Sequence, residues 1–153
     1  MGKIMLFCGD ENTRVDRALE YLPQDVLEKI KGKIAITILN GDACRLSQDI
    51  CRHEEIIILS PWIIPDLKEE TDIDVRYYFF CILHEVAHAV CKHSPPNKIS
   101  NQDEKAQEDE ADTLALTWYN AHALRLEISP LTAEDIEKHQ VEIQDKRANF
   151  GVR

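Results

Sequence analysis

The chain has 153 residues, 44% hydrophobic and 30% charged, which is enough apolar material for one domain over residues 1–153 with a core that needs no disulfide staples. Its 28 acidic and 18 basic residues leave a formal net charge of -10, a poor match for nucleic acid, whose phosphates call for a basic patch. No apolar run approaches the ~20 residues of a membrane helix, so membrane-spanning, collagen-like, disordered and mini-protein readings are set aside.

In chain order, the opening Ile4-Met5-Leu6-Phe7 run is cut short by Asp10 and Glu11 and is too brief for a secretory signal. Residues 3–7 predict a short strand. Residues 13–22 carry helical spacing (Val15, Leu19, Leu22) with Thr13 as the N-cap. Pro23 restarts the chain into a second short helix with Val26, Leu27 and Ile30 on one side, and Gly32 ends it. The β-branched run Lys33 to Leu39 predicts a strand, followed by a turn at Asn40-Gly41-Asp42. Residues 43–53 predict a short strand or an irregular connection, and residues 55–60 (EIIILS) the best strand of all, stopped by Pro61 and Pro65. Thr71 is the expected cap of the next helix, with Asp72 and Asp74 in the first turn, where negative charge suits the helix dipole.

From about Asp72 to Lys92 the sequence is apolar on nearly every face, the mark of a buried central helix. Ser94-Pro95-Pro96-Asn97 breaks it, residues 97–103 predict a loop, and a second long helix runs from about Gln102 to Leu124. Ser129-Pro130 breaks again, and Thr132 with Asp135 caps a final polar helix over about 133–147. The five cysteines (Cys8, Cys44, Cys51, Cys81, Cys91) are odd in number and form no CxxC pair. They predict reduced thiols in a cytoplasmic protein, neither a disulfide framework nor a cysteine-rich zinc knuckle.

The buried helix carries His84-Glu85-Val86-Ala87-His88. Residues i and i+4 of a helix lie about 40° apart around the axis, so two imidazoles point the same way one turn apart, with a carboxylate beside them. That geometry suits two zinc ligands and a base for a bound water. With six histidines in the chain, chance yields this pattern in roughly 2% of such sequences, and burying these groups in the most apolar helix is costly without a purpose. A third ligand is still needed. The spacing HExxHxxGxxH fails, because Cys91 stands at its glycine and Ser94 at its third histidine. His93 is one residue off that spacing and is expected beside the last helical carbonyls. Cys91 shares the ligand face but lies one turn beyond His88.

The better candidate is Glu108 on the following helix, with Asp112 four residues on and on the same side, placed to accept the free N–H of a ligating histidine. Small Ala111 and Ala115 let the two helices approach. Glu104 lies on the Glu108 face, whereas Glu110 points elsewhere and is expected to be a solvated charge. His122 and Tyr119 share the Glu108 face, but an unbroken helix puts them about 21 and 16 Å along the axis from Glu108, so both are assigned to the core or the helix end, and Tyr77 and Tyr78 to the core.

His84-Glu85-Val86-Ala87-His88 followed twenty residues on by Glu108-Asp109-Glu110-Ala111-Asp112 resembles the gluzincin arrangement HExxH…ExxA(D/N) of thermolysin-like, HtpX-like and ImmA/IrrE-type metallopeptidases. The resemblance covers roughly residues 55–120 and is nearest to the soluble, compact ImmA/IrrE type. It implies an α+β zincin-like fold, with a small mixed β-sheet packed on a buried active-site helix and a second ligand-bearing helix. It also implies Zn²⁺ on His84, His88 and Glu108, Glu85 as general base toward a zinc-activated water, Asp112 behind a ligating histidine, and a protein or peptide substrate. Strand 55–60 with Trp62 would then border the cleft, where an extended substrate pairs with it. The alternative in a different class is a non-catalytic zincin-fold regulatory or binding protein whose metal is structural.

Overall fold

Residues 4–38, 46, 48–66 and 68–150 are described by the computed structural model. Three short strands, β1 (Met5–Phe7), β2 (Ile34–Ile38) and β3 (Glu55–Leu59), lie parallel in the order β1-β2-β3. Leu6 pairs with Ile36, and Ile36 with Ile57. Parallel neighbours need a crossover, and the first is built by α1 (Asn12–Leu19) and α2 (Gln24–Ile30). The first cap differs from expectation. A single turn over Gly9–Glu11 precedes the helix, the Asn12 side chain accepts the Cys8 N–H at 2.8 Å, and Thr13 falls inside the first turn. Gly32 has φ +73, a value glycine adopts without a Cβ clash, and it turns the chain into β2.

The turn predicted at Asn40-Gly41-Asp42 lies outside the described residues, as do Leu39, Ala43, Cys44 and Arg45. Gln48–Cys51 forms one helical turn, α3, where a strand or irregular link was expected, with Ile50 buried beneath it. The four described cysteines are free, and burial pushes the Cys8 thiol up to about 11.

The central element is α4 (Ile73–Cys91), with Val75, Tyr77–Phe80, Ile82, Leu83, Val86 and Ala87 all buried. It packs against α1, β3, α5 (Asn101–Arg125) and α6 (Ala133–Asn149), as an all-round apolar helix must. Its N-cap is Asp72, not Thr71, and the Asp72 carboxylate accepts the Glu69 N–H at 3.2 Å. Helix α5 begins inside the predicted loop, because the Ser100 hydroxyl accepts the Asp103 N–H at 3.1 Å and caps it early. The capping box of Thr132 and Asp135 starts α6 as expected. Tyr77, Tyr78 and Tyr119 are buried in the core, and His122 lies against Tyr21. The α+β class, with a small sheet on a buried helix, agrees with the sequence reading and with a small zincin-like fold, although the three described strands are all parallel where a mixed sheet was expected. Among the described residues no helix is long and apolar enough to cross a membrane.

The loop entering α4 is tied down by Glu70, which accepts from Arg17 Nε at 3.0 Å and from the Tyr21 hydroxyl at 2.6 Å. Burial alone would raise the Glu70 carboxyl, but these two partners outweigh it and hold it below its ordinary 4.5. Glu70→Gln is therefore expected to cost about 1–2 kcal/mol at neutral pH. The sign follows from linkage. A carboxylate held below its unfolded value stabilises fully above 4.5 and loses that contribution as pH falls through the lower folded value. Urea melts at pH 7 and in acid check this, because the gap between wild type and variant should close in acid.

Candidate metal centre

The middle of α4 directs His84 and His88 toward α5, where the buried small residues Ala111 and Ala115 bring the second helix close. There His84 Nε2 lies 2.9 Å from His88 Nε2 and 3.3 Å from a Glu108 carboxylate oxygen, and His88 Nε2 lies 3.3 Å from the other. Donor atoms of these three residues lie within 4.8 Å of one another. The two Glu108 separations match the roughly 3.3 Å edge of a tetrahedron with metal bonds of about 2.0 Å, and the two imidazole nitrogens lie closer than that edge.

The proton inventory shows what the centre can hold. Asp112 Oδ1 lies 2.8 Å from His84 Nδ1; a carboxylate only accepts, so the His84 proton is on Nδ1 and its Nε2 is bare. On the other side Glu110 lies 2.9 Å from His93 Nε2, which therefore donates, leaving His93 Nδ1 bare. His88 Nδ1 is 2.8 Å from that atom; with both rings neutral it donates to it, and His88 Nε2 is bare as well. With both rings neutral, two lone pairs and a carboxylate converge, an arrangement that a bound cation satisfies. The donor set, two imidazoles and one carboxylate, fits Zn²⁺.

Desolvation works against protonating His84, but the Asp112 hydrogen bond and the nearby acids outweigh it and its pKa is raised. His88 is lowered, by desolvation first and then by the charge of His84. Glu85 lines the cleft and is open to solvent there, yet partial desolvation and the charge of Glu108 raise its pKa above the usual carboxylate value against the pull of His84. The cleft holds about 290 Å³ and is bordered by Pro95, Pro96 and Ile99 together with Glu104 and Gln107. Gln107 accepts the Ser94 N–H at 2.7 Å, fixing the loop that carries the prolines.

One expectation is corrected. His93 was expected beside the helix-end carbonyls; its ring instead sits between His88 and Glu110, while Glu110 is solvated as expected and also accepts from His93. The cause is Lys92, which has φ 54 in the left-handed region. Its N–H bonds to the Ala89 carbonyl at 3.3 Å and the His93 N–H to the His88 carbonyl at 3.1 Å, a Schellman ending that swings His93 back over the ligand face. A left-handed lysine costs roughly 1–2 kcal/mol, and nothing in the lysine code announces it. Cys91 falls in with His93 and Glu110, not with the His84, His88 and Glu108 set. Strand β3 and Trp62 are absent from the described cleft lining; Trp62 packs on Phe150 with ring centroids 5.8 Å apart.

No curated protein and no solved structure matches the chain at a significant level. One family model does match: residues 72–126, just over a third of the chain, fit Peptidase U49. That span runs from the cap of α4 to the end of α5 and takes in both helices of the centre, and the likeness supports a peptidase.

Proposed function

We propose that this chain is a zinc-dependent metallopeptidase of the gluzincin kind, nearest to the compact ImmA/IrrE type. His84, His88 and Glu108 are the metal ligands, Glu85 is the general base, and Asp112 is the acceptor that orients His84. The convergence of the His84 and His88 Nε2 atoms with the Glu108 carboxylate carries the reading, and the peptidase-family match across the same two helices supports it. A divalent cation bound there supplies a Lewis acid that acidifies water and polarises a carbonyl.

The rest falls to the chain's own residues. Asp112 keeps the His84 lone pair aimed inward, and His93 with Glu110 does the same for His88. Glu85 takes a proton from the attacking water and passes it to the leaving amine. The cleft, bordered by prolines and without a lysine or arginine among its described lining residues, receives a peptide segment. Free cysteines fit a reducing, cytoplasmic setting.

The test is metal analysis of untagged, dialysed protein. One equivalent of zinc is expected in the wild type, and its loss in His84→Ala, His88→Ala and Glu108→Ala. A wild type with far less than one equivalent, or a His84→Ala protein that keeps its zinc, overturns the reading. Full zinc occupancy with no cleavage of any candidate partner favours instead a non-catalytic zincin-fold binding protein.

A further inference from the structure

At the C-terminal end of α4 the Cys91 sulfur, a His93 ring nitrogen and a Glu110 carboxylate oxygen lie within 4.8 Å of one another. We propose that this cluster is a second site, for a thiophilic divalent cation such as cadmium or zinc, and that filling it weakens metal binding at the His84, His88 and Glu108 centre through the His93–His88 hydrogen bond. The second half of this proposal rests on the metal centre proposed above; the first half does not.

A thiolate, an imidazole and a carboxylate make a donor set that favours soft cations. The left-handed Lys92 places His93 beside Cys91, two residues back, where a continuing helix would have set them on opposite sides. The His93 side chain is only 8% exposed and held in place, whereas Glu110 is 58% exposed, so its carboxylate is free to close onto an ion. Burial and the nearby Glu110 raise the Cys91 thiol above its ordinary value, so cation binding there releases the thiol proton to solvent.

The coupling follows from counting protons. A cation on His93 Nε2 requires that atom to be bare, so the single ring proton of His93 moves to Nδ1. There it meets His88 Nδ1 at 2.8 Å, and two N–H groups cannot face each other at that distance. The proton of His88 then moves to Nε2, the atom that faces His84 and Glu108. An imidazole nitrogen that carries a proton has no lone pair for a metal. With each ring neutral, occupancy of one site therefore opposes occupancy of the other, and the opposition is reciprocal.

Cadmium and cobalt(II) separate the two halves. In His84→Ala, which removes the first centre, one equivalent of cadmium is expected to produce a cadmium–thiolate absorption that disappears when Cys91→Ser is added. No such Cys91-dependent absorption overturns the second site. In the wild type loaded with one equivalent of cobalt, cadmium is expected to quench the cobalt visible bands at about tenfold lower concentration than in Cys91→Ser. Equal cadmium requirements mean simple exchange at the first centre and overturn the coupling. A wild type that takes up no cobalt overturns the first centre and the coupling with it, while the His84→Ala arm still decides the second site. Circular dichroism of each variant reports its fold.

Discussion

Glu85→Gln is expected to keep the fold and one equivalent of zinc while lowering peptide hydrolysis by about 10²–10⁴-fold, the range for loss of a general base. The reasoning is geometric. Glu85 lines the cleft but is not among the atoms that converge between α4 and α5, which belong to His84, His88 and Glu108. Its pKa is raised by desolvation and by Glu108, which makes the carboxylate a stronger proton acceptor than a free surface glutamate; the amide of glutamine accepts no proton at all. Zinc content, melting temperature and single-turnover cleavage of a substrate trapped by the variant give the three readouts. Full activity in Glu85→Gln would remove the base from the mechanism, and loss of zinc together with activity would mean that Glu85 holds the centre together and does not move a proton.

The sequence made some of this molecule legible because the signal was local. Helix α4 announces itself through apolar residues on every face, and its core positions Tyr77–Phe80, Leu83 and Val86 are buried accordingly. Thr132 with Asp135 is a capping box in the letters and in the structure. Glu108 and Asp112, four apart, do lie together on the side of α5 that reaches His84. What escaped depended on backbone choices that side-chain identity does not encode. Glu11 and Asp72 occupy N-cap positions that Thr13 and Thr71 would serve equally well on chemistry alone. His93 reaches His88 only because Lys92 turns left-handed, and Glu110 reaches His93 only because of where the loop 92–100 sets down α5. Helical arithmetic carried straight through residue 92 sends His93 to the wrong side.

The same dependence on helix spacing gives the second large effect. Ala111→Leu is expected to destabilise the chain by about 1–3 kcal/mol and to weaken zinc binding by at least about tenfold. Ala111 has no exposed surface and lies on α5 between Glu108 and Asp112, one helical turn or less from each. Three added heavy atoms find no room there, so the strain is relieved by moving α5 away from α4. The contacts that suffer first are the short ones across the gap: Asp112 to His84 at 2.8 Å, and Glu108 to both histidines at 3.3 Å. Losing the first frees the His84 ring to turn or change tautomer, and losing the others removes the third donor. The control is Ala106→Leu, the same chemical change on the exposed part of the same helix, which should leave both melting temperature and affinity as in the wild type. Wild-type zinc affinity in a folded Ala111→Leu protein would mean that the two carboxylates find their places by side-chain flexibility, and that the close approach of the helices serves stability alone.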